Sequence, residues 1–137
     1  MTADFAGKVA LITGGSRGIG RACASQFAQH GARVAINYRV NRTAAEKTLR
    51  SLPDGHHDIF QGDVSDYDSV VKMVDSVIRT MGNVDILVNN AGIYELHDIT
   101  KLQPGEWKTA WDRSINIHEA RSGENRMLPR MARVRRD

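Results

Sequence analysis

The chain has 137 residues, of which 41% are hydrophobic and 26% charged, and its formal net charge at pH 7 is +3. These values are typical of one globular domain, because roughly two-thirds of the unfolded surface is buried at this length. The apolar runs are too short to cross a membrane, the single Cys23 excludes an internal disulfide, and no targeting peptide is recognisable, so we expect a cytoplasmic protein.

Charge is distributed unevenly along the chain. No acidic residue lies between Asp4 and Glu46. The basic residues of this stretch are Lys8, Arg17, Arg21, Arg33, Arg39 and Arg42. Such a stretch favours an anionic ligand, and a chance run on a solvated surface is the alternative. The last twenty residues contain six arginines against three acidic residues and have no apolar period, so we predict a domain at 1–117 and an Arg-rich, disordered tail at 118–137.

Strand and helix patterns alternate along the domain. Residues 9–13 form the first predicted strand, and a helix follows at 19–30 with Ile19, Ala22, Cys23 and Phe27 on its buried stripe. Further strands are predicted at 33–37, 57–61 and 84–89, and further helices at 43–52, 66–81 and 106–115. This alternation predicts βαβ units and a parallel sheet with right-handed crossovers.

The longest of these helices has clear boundary signals. Ser65 or Asp66 is a suitable N-cap, and Gly82 a suitable end. The side predicted to be buried carries Val70, Val71, Val74, Val77 and Ile78.

A glycine-rich stretch joins the first strand to the first helix. Gly14 permits the turn, Gly18 lets the backbone approach a pyrophosphate, and Gly20 brings the helix close to the sheet. A plain tight turn is the alternative for a lone glycine pattern, but the position between a strand and a helix favours a dinucleotide site. We therefore expect Ser16, Arg17 and Ile19, together with the three glycines, to hold phosphates.

Two later segments are expected to complete the nucleotide site. The second strand ends in Asn37-Tyr38-Arg39, without a carboxylate for the ribose hydroxyls. Arg39 with Arg17 suits a 2′-phosphate, so the sequence favours NADP(H) over NAD(H). After the third strand, Asp63 is placed to accept from the adenine amino group and Val64 to cover the ring, with helix capping as the alternative for Asp63.

These ordered motifs, with Asn89-Asn90-Ala91-Gly92 after the fourth strand, resemble the short-chain dehydrogenase/reductases over about residues 5–117. The chain looks most like the 3-oxoacyl-carrier-protein reductases and their close relatives. The resemblance implies an α/β fold with a Rossmann-type, doubly wound parallel sheet, a nicotinamide cofactor and carbonyl reduction. It also implies that Asn90, Ala91 and Gly92 approach the cofactor ribose and that Asn116 helps to hold a water in a proton relay.

The residues that carry proton transfer in that family are absent from this sequence. Family members use a tyrosine, a lysine four residues later on the same helical face, and a serine. The residues four positions after Tyr38, Tyr67 and Tyr94 are Arg42, Val71 and Asp98. The predicted sheet is also truncated after about four strands, so we expect the 137 residues alone to be inactive or nearly so.

Other functions remain open. The chain is alternatively a non-catalytic nucleotide-binding or interaction module that forms a homo-oligomer or pairs with full-length relatives through an open sheet edge. Nucleic-acid binding by the tail is not expected, because it lacks interleaved aromatic residues. No metal site is predicted, because His56 and His57 point to opposite faces of a strand and no third ligand lies nearby.

Overall fold

Strands and helices alternate along residues 4–91, the part of the chain that the computed structural model describes. The predicted helix at 106–115, the tail at 118–137, and the site candidates Gly92 and Asn116 lie outside these residues. In chain order the elements are β1 (Val9–Ile12), α1 (Gly18–Gln29), β2 (Arg33–Tyr38), α2 (Arg42–Ser51), β3 (Asp58–Gln61), α3 (Tyr67–Met81) and β4 (Ile86–Val88).

The four strands form one sheet in the order β3-β2-β1-β4, and every neighbouring pair is parallel. Leu11 of β1 lies opposite Ala35 of β2 on one side and Leu87 of β4 on the other. The predicted Rossmann-type parallel sheet is therefore confirmed. The chain winds outward from β1 to β3 and then returns to β4 beside β1, so a crevice forms at the carboxyl ends of β1 and β4.

Helices cover both faces of the sheet. Successive residues of β1 point to opposite faces, and accordingly Leu11 and Ile12, both fully buried, belong to different apolar clusters. The cluster around Ile12 includes Ala24 and Ala28 of α1 and residues at the end of α2. The cluster around Leu11 is filled from α3.

The buried face of α1 differs from the predicted stripe. Ile19 is 76% exposed and Ala22 is also exposed, whereas Gly20, Ala24 and Ala28 are buried. These three small residues recur every four positions and therefore lie on one side of the helix. Cys23 and Phe27 of the predicted stripe are partly buried and pack against the cluster around Ile12, so the prediction is right for these two residues and wrong for Ile19 and Ala22.

α3 follows its prediction closely. Val70, Val74 and Val77 are buried, together with Met73 and Met81, while Val71 is only partly buried. The Asp66 carboxylate caps the helix by accepting from the Ser69 N–H at 3.3 Å, and Gly82 follows the last turn. A cap of this kind contributes about 1 kcal/mol.

The His57 side chain joins three elements just before β3 begins. Its Nδ1 accepts from the Val34 N–H at 3.0 Å, and its Nε2 donates to the Pro53 carbonyl at 3.1 Å. The ring thus continues the hydrogen bonding between β2 and β3 in place of a backbone carbonyl, and it must be neutral to accept from an N–H. Burial lowers the pKa of His57 below the usual value for histidine.

Candidate functional site

The loop between β1 and α1 depends on glycine at two turns. Gly14 has φ +61° and Gly18 has φ +57°, a left-handed region that other residues rarely adopt. At Gly14 space is restricted as well, because a β-carbon there would lie 3.0 Å from the Ala91 Cα. The loop therefore turns sharply against the segment that follows β4.

The first turn of α1 presents backbone N–H groups without partners among residues 4–91. Arg17 is the N-cap in an extended conformation and provides no side-chain cap. The first helical hydrogen bond runs from the Arg21 N–H to the Arg17 carbonyl at 3.2 Å, and no recorded bond uses the N–H of Gly18, Ile19 or Gly20. This turn also contains no acidic residue. Uncapped N–H groups and the positive end of the helix dipole are suited to a bound phosphate.

Gly20 lies in the first turn of α1, where the helix packs against the glycine loop and against the segment that follows β4. A β-carbon at position 20 would collide with the Gly14 carbonyl oxygen and with Nδ2 of Asn90. Asn90 donates from the same Nδ2 to the carbonyls of Thr13 and Gly14 at 3.1 and 3.2 Å. Only glycine leaves room for this contact.

The segment after β4 is fastened to the end of β1 by Thr13. Its buried Oγ1 accepts from the N–H groups of Asn90 and Ala91 at 3.0 and 2.9 Å and donates to the Val88 carbonyl at 3.3 Å. Asn90 and Ala91 are thereby held over the glycine loop.

Asn37 holds the same loop from the side of β2. Its Oδ1 accepts from the Gly14 N–H at 3.3 Å, and its Nδ2 donates to the carbonyls of Phe60 and Gly62 at 3.2 and 3.1 Å. This role of Asn37 was not predicted. The available signal was a lone amide directly after the apolar run Val34-Ala35-Ile36, which must find partners when it is buried.

Asp63 and Val64 lie where the chain leaves β3. Asp63 Oδ1 accepts from the N–H and the hydroxyl of Ser65 at 2.9 and 2.6 Å, which orders the turn before α3. The alternative in which Asp63 caps a helix is wrong, because the cap of α3 is Asp66. Val64 is half-buried and packs against the cluster on the α3 face.

These segments enclose one cleft of about 520 Å³ at the carboxyl ends of the strands. The predicted site residues that line it are Gly14, Ser16, Arg17, Gly18, Ile19, Arg39, Asp63, Val64, Asn90 and Ala91. Gly20 lies beneath it rather than in its wall. The cleft is also lined by residues that were not predicted, namely Asn37, Tyr38, Val40, Asn41 and Gly62.

The wall of the cleft near β2 and α1 is positively charged. Arg17 and Arg39 are both exposed, and neither guanidinium takes part in a recorded ion pair or hydrogen bond among the described residues. Arg42, at the start of α2, differs because its Nε donates to Glu46 at 2.8 Å, and this contact raises the pKa of Arg42. Two cations in the cleft thus remain available to an anionic ligand.

Two findings concern other kinds of site. Within residues 4–91, no three His, Cys, Asp or Glu side chains are grouped in a way that could hold a metal ion. Over the same stretch, no helix has the length and apolar character that crossing a membrane requires.

Comparison with known proteins gives a consistent result. The family model described as short chain dehydrogenase matches residues 8–136. The versicolorin reductase of Emericella nidulans is 41% identical over 103 residues, which are 74% of this chain and 39% of that protein. A 3-oxoacyl-(acyl-carrier-protein) reductase of Staphylococcus aureus is 38% identical over 110 residues, 79% of this chain and 45% of the relative. The chain therefore spans less than half the length of these curated relatives.

Solved structures show the same partial coverage. A Serratia marcescens short-chain dehydrogenase/reductase is 33% identical, with a TM-score of 0.76 over 88% of this chain and 52% of its own. A Sinorhizobium meliloti dehydrogenase/reductase has 28% identity and a TM-score of 0.77 over 87% of this chain and 50% of its own. The family match crosses the predicted boundary at residues 117 and 118, and that division stays a prediction.

Proposed function

The chain belongs to the short-chain dehydrogenase family, and on this premise we propose that its cleft binds NADP(H) and that the protein is the coenzyme-binding portion of a carbonyl reductase acting on 3-oxoacyl compounds or similar ketones. The uncapped first turn of α1 is the observation that carries the proposal, since its N–H groups have no acceptor among residues 4–91 and lie at a cleft that also contains two cations. The names of the two reductase relatives support the reaction class.

The preference for NADP(H) over NAD(H) rests on the residues that follow Asn37. Tyr38 and Arg39 line the cleft, and residues 39–45 contain two arginines and no carboxylate. A ribose with free 2′- and 3′-hydroxyls is usually held by a carboxylate at this place, whereas a 2′-phosphate needs a cation. We assign that phosphate to Arg39 and Arg17.

The remaining groups of the coenzyme are assigned to the other walls of the cleft. The N–H groups of Gly18, Ile19 and Gly20 donate to the pyrophosphate, and Gly14 and Ser16 shape the loop around it. Asp63 and Val64 receive the adenine, while Asn90 and Ala91, with Gly92 beyond the described residues, approach the ribose. When bound, the coenzyme supplies a hydride to a carbonyl carbon.

We further propose that the 137 residues alone do not turn over substrate, because no tyrosine is followed four positions later by lysine. Of the described tyrosines, Tyr38 is buried beside β3 and Tyr67 opens α3. The loss of a general acid costs about 10²- to 10⁴-fold in rate. Asn116 is proposed to support the proton relay only where the missing groups are supplied.

The test combines binding with turnover on the purified chain. We expect NADPH to change the nicotinamide and tryptophan fluorescence in a saturable way, and NADH to bind more weakly. With NADPH and an acetoacetyl thioester, we expect no oxidation of NADPH above the rate without protein. Turnover would contradict the proposed inactivity, and the absence of nucleotide binding by well-folded protein would contradict the proposed site.

A second candidate function, a non-catalytic partner of longer relatives or of a second copy, is favoured by the edge of the sheet. β4 pairs with β1 on one side, its three apolar residues are only half-buried, and no strand lies on its other side within residues 4–91. Co-expression with a full-length relative followed by size-exclusion chromatography tests this function. A cytoplasmic location, which we also propose, is compatible with such pairing. Separate elution of the two chains would rule it out.

A further inference from the structure

One hydrogen bond reaches the glycine loop from the interior of α2. Thr48 is fully buried, and its Oγ1 donates to the Ser16 carbonyl at 2.7 Å. The two residues are 32 positions apart. Buried threonines in helices commonly donate to the carbonyl four residues earlier, whereas this hydroxyl bonds to a different segment.

This bond fixes the orientation of a peptide group in the loop. The peptide between Ser16 and Arg17 is planar and trans, so its carbonyl and its N–H point in opposite directions. Because Thr48 holds the carbonyl toward α2, the Arg17 N–H points away from α2. Arg17 is also the N-cap of α1, so the same contact sets the direction in which the uncapped first turn begins.

The loop is held at a second place by β2, the strand that precedes α2. The Gly14 N–H donates to Asn37 Oδ1 at 3.3 Å, and the Gly15 N–H donates to the Asn37 carbonyl at 3.0 Å. Arg39 follows two residues later on the same β2–α2 unit. The β2–α2 unit therefore carries both the cation Arg39, which lines the cleft, and the two anchors of the loop, Asn37 and Thr48.

We propose that Thr48 is a positioning residue for coenzyme binding, which holds the Ser16–Arg17 peptide so that the N-terminal turn of α1 faces the pyrophosphate at a fixed spacing from Arg39. The proposal rests on the proposed function of the cleft. Thr48 acts through the loop and does not itself line the cleft.

The test compares hydroxyl deletions on one helix. Thr48→Val replaces the hydroxyl by a methyl group of similar size, and Thr48→Ser keeps the hydroxyl. Ser51→Ala is the matched control, because the Ser51 hydroxyl donates to the Thr48 carbonyl within α2 at 2.6 Å and does not reach the loop. NADPH titrations of the full chain are made well below the midpoint of thermal unfolding, which is measured for every variant.

We expect Thr48→Val to weaken NADPH binding about 3- to 10-fold, the scale of one net hydrogen bond, and Thr48→Ser and Ser51→Ala to stay within about 2-fold of the original chain. Adenosine 2′-monophosphate has no pyrophosphate but keeps the phosphate assigned to Arg17 and Arg39, so its affinity, measured by competition, should fall by less than that of NADPH in Thr48→Val. Unchanged NADPH affinity in folded Thr48→Val overturns the proposal, as does an equal loss for both ligands, which is the result of a purely structural role.

Two further outcomes keep this inference separate from the proposed function. If Thr48→Val does not fold, Thr48→Ala is compared with Thr48→Ser, because these differ only by the hydroxyl, and equal affinities overturn the proposal. If the original chain binds no nucleotide, the proposed function is wrong and this inference is overturned with it, whereas unchanged affinity in Thr48→Val overturns this inference alone.

Discussion

Arg39 contributes to the cleft in a different way from the glycine loop. The loop offers backbone N–H groups, which any pyrophosphate can use, whereas Arg39 offers an exposed guanidinium without a recorded partner among the described residues. In the proposed function, selectivity between the two nicotinamide coenzymes therefore depends on a side chain, while affinity common to both depends on the backbone. Substitutions can separate the two contributions.

We expect Arg39→Gln to weaken NADPH binding by roughly 10- to 100-fold, because a hydrogen bond to a charged group is worth about 1.5–3 kcal/mol. NADH affinity should change by less than about 2-fold. Both are measured by fluorescence titration. Arg50→Gln is the control, since Arg50 is exposed in the last turn of α2 and does not line the cleft. An equal effect of the two variants would show that net charge, and not the position of Arg39, controls binding.

The place of Arg39 and of the loop glycines in the cleft could be predicted from the sequence, because a strand end and a short motif identify these residues. Asn37 and Thr48 could not, because their partners are 23 and 32 positions away and depend on how β2 and α2 pack against the loop. Each did leave a signal in the sequence. A lone amide in an apolar strand and a hydroxyl on the buried side of a helix both need partners inside the protein.

At the scale of elements, alternation predicted every strand and helix described here within a few residues of its bounds. The predicted buried face of α1 was right for Cys23 and Phe27 and wrong for Ile19, which is exposed, while Gly20 is buried. Hydrophobic periodicity identifies a helix but does not measure how closely it packs, and close packing favours small residues. Val70, Val74 and Val77 of α3 were predicted correctly because that helix buries large side chains.

The contact of His57 with β2 and with the end of α2 makes the stability of these elements depend on pH. In the folded chain the ring is neutral, because Nδ1 accepts from Val34, and burial lowers its pKa. The unfolded chain therefore binds more protons than the folded chain below about pH 6.5, the ordinary value for histidine. The stabilisation from His57 is complete above that pH, declines below it, and is lost as the pH falls through the lowered folded-state pKa.

The prediction is tested by chemical unfolding at several pH values. We expect His57→Asn to reduce the loss of stability between pH 7 and about pH 5 relative to the original chain, because asparagine offers a carbonyl near the position of Nδ1 and does not titrate. His56→Asn removes a neighbouring charge that contributes to the lowered pKa of His57, and it should change the dependence less than His57→Asn does. A parallel pH dependence for the original chain and His57→Asn would contradict this interpretation.

At the scale of the whole molecule, the cleft is made from segments at both ends of the described chain. Thr13 follows β1, and the two N–H groups that it accepts lie 77 and 78 residues later. This junction holds β4 and the segment after it against the glycine loop. The stability of the four-stranded sheet and the shape of the cleft therefore depend on the same hydroxyl.

Thr13→Val should lower the free energy of unfolding by about 1–3 kcal/mol, because the half-buried Ala91 N–H loses its acceptor and the Asn90 N–H keeps only the Val88 carbonyl. It should also weaken NADPH binding. Thr13→Ser keeps the oxygen and should retain most of both properties. Urea unfolding and nucleotide titration measure the two effects. If the valine and serine variants behave alike, the hydroxyl does not hold the junction.

The Thr13–Asn90 junction also has a consequence for the timing of biosynthesis. A ribosome adds about 5–20 residues per second, so roughly 4–15 s separate the synthesis of the glycine loop from that of its partner after β4. During this interval a nascent chain has the glycine loop without the wall that completes the cleft. In the proposed function, capture of the coenzyme is therefore a late event that must wait for the fourth strand to leave the exit tunnel.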